Sequence, residues 1–134
     1  MSRVYVDTSA FVALLIESDE SHETAGSIFN GFRQLDVKLV TSSYVLVECY
    51  ALLGRRVGAA AVKGFREKMQ PLLDIVWVDE ELHEMGLDLL ESKKRRKLSL
   101  VDAVSFVAMR KHSISTAFTF DKHFAQEGFV ANTV

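Results

Sequence analysis

Val4-Tyr5-Val6-Asp7-Thr8-Ser9 is the stretch whose reading decides the fold. Arg3 to Val6 is short, β-branched and aromatic, the composition of a buried strand. It runs into an acid and a hydroxyl pair. An apolar helix then opens, which Thr8 or Ser9 would cap and which reaches about Glu17. Between Val4 and Ile16, Asp7 is the only side chain charged at neutral pH. A lone carboxylate inside apolar sequence must be neutralised or find a partner. Three later acids are isolated in the same way. Glu48 is the only charge between Ser42 and Gly54, and Asp102 the only one between Leu98 and Met109. Asp121 follows an uncharged run from Ser113 to Phe120.

Working outward, the chain alternates strands with helices. A second, amphipathic helix carries Ala25, Ile28, Phe29 and Phe32 and ends near Gln34. Val37 to Thr41 reads as a strand, and Thr41, Ser42 and Ser43 offer caps for a helix to about Arg56. Tyr44, Val45, Ala51 and Leu52 are the helical neighbours of Glu48, so this acid leaves from an apolar face. Val62, Phe65, Met69 and Leu72 mark a fourth helix, with Pro71 near its end. A strand from Ile75 to Val78 follows. Asp79 would cap a fifth helix with the face Leu82, Met85, Gly86 and Leu89. That helix closes on the basic run Lys93 to Lys97, which suits a helix C-terminus. Ser99 starts a sixth helix to about Lys111. Ser115 to Phe120 is a strand, Asp121 to Gln126 a helical turn, and Phe129 to about Ala131 a last strand. Such alternation predicts an α/β fold: three layers, with a mostly parallel sheet of about five strands flanked by helices.

The 134 residues argue for one domain, and 49% hydrophobic residues suffice for a core. A formal net charge of -2 neither announces nor excludes a nucleic-acid partner. Cys49 is the single cysteine, which rules out an intrachain disulfide and fits a reducing compartment. It reads as a small buried hydrophobe. Asp7 breaks the only candidate signal segment. The apolar run from Phe11 to Ile16 is far shorter than the roughly 20 residues that span a bilayer. The expectation is a soluble, cytoplasmic protein without a membrane partner.

In an open parallel sheet, ligands bind beyond the carboxyl ends of the strands. Asp7 and Asp121 follow strands. Glu48 lies about two turns into a helix, and Asp102 in the first turn of another. These positions can converge on one edge. Clustered carboxylates repel and raise one another's pKa, and a hard cation relieves that. Magnesium or manganese suits carboxylate and water oxygens, and no Cys/His spacing suggests zinc. Such a metal activates water and clamps a phosphate, which is the chemistry of phosphodiester hydrolysis. Local roles compete with this reading. Ser99 to Asp102 has the spacing of a capping box, Asp7 can end a strand, Asp121 can cap a turn, and Glu48 can pair with Arg55 or Arg56.

Taken as a set, Val4 to Ser9, Ser43 to Glu48, Leu98 to Ala103 and Phe118 to Phe124 resemble the PIN-domain ribonucleases. The VapC-type toxins of prokaryotic toxin–antitoxin systems are the nearest group. The resemblance runs through residues 1–134 in family order, as a single PIN domain. It implies that Asp7, Glu48, Asp102 and Asp121 are the catalytic, metal-holding acids, and that the Ser9 and Thr119 hydroxyls support them. It implies divalent-metal-dependent cleavage of single-stranded or looped RNA, with Mg2+ or Mn2+ as cofactor. A homodimer and a cognate antitoxin come with the family. The helices around Phe11 to Ile16 and the Val62/Phe65/Met69 stripe are surfaces for such partners, unless they are core. Arg55, Arg56, Lys93, Lys94, Arg95 and Arg96 are candidates for contact with RNA phosphates. His22, His83, His112 and His123 are scattered, and packing or surface roles suit them.

Two rivals remain. A haloacid-dehalogenase-like phosphotransferase also opens on a strand ending in Asp. It would want a second acid where Ser9 stands and a lysine just before the late acid. The alternative function is a PIN-fold module that holds RNA or a protein partner with little or no turnover.

Overall fold

In the computed structural model, described for residues 2–93 and 97–134, a five-stranded sheet is flanked by helices. Strand β1 (Arg3–Val6) lies at the centre, and the order across the sheet is β3-β2-β1-β4-β5. Strands β2 (Lys38–Ser42), β3 (Leu73–Val76), β4 (Thr116–Phe118) and β5 (Val130–Ala131) complete it. All four pairings are parallel. The order reverses at β1, so the switch point falls at its carboxyl end, where Asp7 stands. The expected α/β class with a parallel sheet is what the chain adopts.

The helices are α1 (Thr8–Leu15), α2 (His22–Gln34), α3 (Ser43–Arg56), α4 (Ala59–Gly64), α5 (Glu80–Lys93), α6 (Leu100–Lys111) and α7 (His123–Gln126). The central strand is covered on both faces: Val4, Tyr5 and Val6 are all buried. Helix α6 is buried from Asp102 through Met109 and acts as a core helix, not a surface one. Its Phe106 meets Phe124 edge to face at 4.9 Å between ring centroids. Beneath Asp7, the buried Tyr5 hydroxyl meets Ser105 Oγ at 2.8 Å, and burial pushes its pKa up. Thr41 Oγ1 donates to the Val6 carbonyl at 2.8 Å. These bonds satisfy polar groups that burial would otherwise leave costly.

Several boundaries differ from expectation, each for a physical reason. Helix α1 is capped by Asp7 and not by Thr8 or Ser9: the Asp7 carboxylate accepts from the Ser9 amide at 3.4 Å. It ends at Leu15, two residues early. Strand β3 starts at Leu73 instead of Ile75, because Leu73 is buried opposite Leu39 while Trp77 is 69% exposed. As an edge strand, β3 tolerates Asp74, which pairs across to Lys38 at 3.7 Å. The fourth helix passes into a π-helical turn at Phe65–Met69 and a 3-10 turn at Gln70–Leu72 around Pro71. Strand β4 stops at Phe118, so Thr119 to Asp121 form a loop. Cys49 is buried, as a small hydrophobe should be. No helix among the described residues is long and apolar enough to cross a membrane.

Candidate active site

At the carboxyl edge of the sheet, a cavity of about 400 Å³ opens. Asp7, Glu48, Asp102 and Asp121 all line it. Each arrives from a different element: the end of β1, the second turn of α3, the first turn of α6 and the loop after β4. Asp19, Glu20, Ser9, Ser21, Ser99, Arg56 and Lys97 share the lining, which includes no His or Cys. Among the described residues, six carboxylates therefore face two cations.

Asp7 is the most constrained acid, at 3% exposure. Ser9 Oγ donates to its Oδ2 at 2.8 Å, and Thr119 Oγ1 donates to the same oxygen at 3.1 Å. With the Ser9 amide, these bonds all end on Oδ2, and among the described residues none reaches Oδ1. Burial raises the Asp7 pKa to about 6. The Ser9 and Thr119 hydrogen bonds oppose that rise, while the negative charges of Asp102 and Asp121 add to it. Asp102 is also raised, mainly by burial and further by Asp121, against the Ser99 backbone bond that lowers it. Three of the four acids thus feel one another. Glu48 lines the same cavity and is half-buried, less enclosed than its apolar neighbours in sequence suggest.

The local roles of Asp102 and Asp121 hold as well, and they do not displace the shared one. Ser99 and Asp102 form a complete capping box, with Ser99 N donating to Asp102 Oδ2 at 3.2 Å and Asp102 N donating to Ser99 Oγ at 3.1 Å. Asp121 Oδ1 accepts from His123 N at 2.9 Å. Each of these local bonds ends on one carboxylate oxygen, and both residues also line the cavity. Among the described residues, no ion pair joins Glu48 to Arg55 or Arg56.

The two hydroxyls that the family resemblance implies as supports both donate to Asp7. Ser9 Oγ accepts from Phe120 N at 2.9 Å, and Thr119 Oγ1 accepts from Asp121 N at 2.9 Å. Both therefore tie Asp7 to the β4 loop. One partner was not foreseen: Asn132, just past β5, bonds both backbone groups of Thr119 at 2.9 Å. Its only sequence signal is an asparagine after a short strand, where a left-handed residue often stands. Of the proposed RNA contacts, Arg56 lines the cavity but Arg55 and Lys93 do not, and Lys93 Nζ lies 3.4 Å from Glu127. Lys94, Arg95 and Arg96 lie outside the described residues. Lys97, the last of that basic run, does line the cavity. Three of the four histidines pack: His22 meets the Ala13 carbonyl, His83 the Tyr44 hydroxyl, and His123 is buried.

The all-oxygen donor set suits a hard divalent cation and not zinc. Among the described residues, no three His, Cys, Asp or Glu side chains close around one point. Magnesium needs no such cage, because it keeps several waters and takes only one or two carboxylates directly. A buried, partly unpaired Asp7 beside two further acids is the electrostatic deficit that such a cation relieves.

A parallel sheet that switches direction beside a group of isolated carboxylates defines a class of protein. The family model for the PIN domain matches residues 4–129, and the chain belongs to that family. Mycobacterium tuberculosis VapC20, named a 23S rRNA-specific endonuclease, is 35% identical over 128 residues, spanning 95% of each chain. Its crystal structure, described as that of a sarcin–ricin loop cleaving toxin, superposes with a TM-score of 0.85 at 34% identity, over 95% of this chain and 96% of that one. VapBC2 from Rickettsia felis, solved on a DNA fragment from its promoter, gives 0.70 at 15% identity over 96% of each chain, a likeness of fold alone. The expected likeness to VapC-type proteins therefore holds. PIN nucleases hydrolyse RNA phosphodiester bonds and generally depend on a divalent metal.

Proposed function

We propose that this chain is a divalent-metal-dependent endoribonuclease whose catalytic residues are Asp7, Glu48, Asp102 and Asp121. The observation that carries the reading is their convergence on one cavity with all-oxygen chemistry. Magnesium or manganese would be held by these acids. When bound, it supplies Lewis-acid polarisation of the scissile phosphate and lowers the pKa of water. The chain's own residues do the rest. Asp7 presents Oδ1, while Ser9 and Thr119 hold Oδ2 and keep the side chain from turning. Asp102 and Asp121 orient the attacking water through the oxygens that their local bonds do not use. Arg56 and Lys97 offset the acidic lining and receive the RNA phosphates flanking the cut.

The substrate class follows the likeness to VapC20: a looped segment of 23S ribosomal RNA, cut as an endonuclease cuts. A toxin role comes with the same likeness, and with it a cognate antitoxin. A second groove of about 410 Å³, lined by Leu15, Phe29, Leu53, Phe65, Met69 and Leu72, offers an apolar seat for such a protein. Of the stripes read from sequence, Phe11 is core, the buried Phe65 floors this groove, and Leu15 and Met69 open onto it. Exposed Val47 and Trp77 are apolar surface of the kind a homodimer covers.

The test is cleavage of a 23S ribosomal RNA hairpin against unrelated hairpins, with wild type and Arg56→Ala. One dominant cut in the ribosomal hairpin is expected. The variant should raise KM about tenfold, leave kcat within about twofold, and reduce the slope of binding against log salt by about one. An unchanged KM would remove Arg56 from the RNA path. Indifference among hairpins would overturn the ribosomal substrate.

A further inference from the structure

We infer that Asn132 is a positioning residue that sets the spacing of Asp7 and Asp121 by acting through Thr119. The inference rests on the metal reading above. Strand β5 pairs with β4 at Thr116↔Val130 and Ala117↔Ala131, and there the ladder ends. Asn132 turns into the left-handed region, with φ at 67°. Asparagine enters that region more readily than most residues, because its short amide bonds locally. Its backbone N–H still donates to the Ala117 carbonyl at 2.8 Å. Its side chain then does what a further strand residue would have done. Oδ1 accepts from Thr119 N at 2.9 Å, and Nδ2 donates to the Thr119 carbonyl at 2.9 Å.

Both backbone groups of Thr119 are therefore held by one planar amide just where β4 has stopped. That fixes the direction of the Thr119 side chain, whose Oγ1 has two tasks. It donates to Asp7 Oδ2 at 3.1 Å and accepts from Asp121 N at 2.9 Å. A single hydroxyl thus links the acid at the end of β1 to the acid beyond β4. If the Thr119 backbone turned, both links would change together. Asn132 also lies beyond residue 129, where the match to the family model ends, so nothing in that match assigns it a role.

The chain's geometry separates this role from simple edge packing. Asn132→Gly keeps the left-handed backbone and removes the amide. Asn132→Asp keeps an acceptor for Thr119 N–H and loses the donor to the carbonyl. Residues that support metal ligands from behind typically change metal affinity by 10–100-fold when lost. Manganese binding to the full chain, read by calorimetry, is expected to weaken about tenfold in Asn132→Gly and by less in Asn132→Asp. RNA cleavage at limiting manganese should fall in parallel and recover toward wild type at saturating metal. A double-mutant cycle with Thr119→Val identifies the route. With the Thr119 hydroxyl gone, Asn132→Gly should cost little further affinity. Equal affinity in wild type and Asn132→Gly, or additive losses in the cycle, would overturn the inference while leaving the metal site standing. Wild-type protein that binds no manganese would overturn the metal reading, and the inference with it. Thermal melting without metal checks that each variant is folded. If Asn132→Gly melts below the assay temperature, Asn132→Asp carries the comparison alone, and a wild-type affinity there overturns the inference.

Discussion

Asp7→Asn is expected to lose RNA cleavage by at least about a hundredfold, since changing even the groups behind a metal ligand costs 10–100-fold. The same substitution should make the metal-free protein more stable. Burial raises the Asp7 pKa from 3.8 to about 6, so the folded protein binds the proton more tightly than the unfolded chain. Stability from this group is therefore full below about pH 4, falls as pH rises through 6, and is lost above it. At pH 7.5 the ionised group costs on the order of 3 kcal/mol, which asparagine removes. The variant should melt several degrees above wild type at pH 7.5, with the gap closing near pH 4. Asp102 is raised too, so some pH dependence survives in the variant. Manganese should reverse the order at neutral pH, stabilising wild type and leaving the variant nearly unmoved. Thermal melts at two pH values, with and without metal, read all of this. A variant that cuts RNA normally would remove Asp7 from the site.

Gly86→Ala should be the most damaging of the small core substitutions, at about 2 kcal/mol. A Cβ at Gly86 would stand 2.4 Å from Val104 Cγ2 and 3.3 Å from the Val104 backbone. Val104 is fully buried on α6, and its branched side chain has little rotamer freedom with which to move aside. Relief therefore requires α5 and α6 to part, which costs roughly 1–3 kcal/mol in a packed interior. The gain in helix propensity offsets up to about 1 kcal/mol of that. Because α6 carries Asp102, the separation should also weaken manganese binding. Chemical denaturation gives the stability and calorimetry the affinity. A Gly86→Ala protein of undiminished stability would mean that the two helices can part without cost.

The four acids that line one cavity stand out in the sequence because burial makes isolation informative. Asp7, Glu48, Asp102 and Asp121 each interrupt an apolar run, and a charge in such a run needs a reason. The parallel sheet was legible for a similar cause: strands covered on both faces, such as Val4 to Val6, read as continuous apolar segments. What escaped depends on neighbours distant in sequence. Strand β3 begins at Leu73 because Leu39 lies beside it, and no local pattern reports that register. The cap of α1 was misplaced because Asp7 serves the helix and the cavity at once, and only the tertiary fold shows both. Asn132 went unseen for the same reason, since its partner Thr119 is brought to it only when β5 docks on β4. The basic residues were the least legible. Arg55 and Arg56 are adjacent in sequence, but helical geometry turns only Arg56 into the cavity.

The carboxylates of one cavity are proposed to form the metal-dependent RNA-cutting centre. Asp102→Asn tests it most directly, because the asparagine oxygen can still accept from Ser99 N and keep the α6 cap. Ribosomal RNA is incubated with wild type and variant in magnesium, in manganese and in chelator. Wild type is expected to cut with metal and not with chelator, and the variant in no condition. Cutting that survives both chelator and the Asp102 substitution would contradict that proposal.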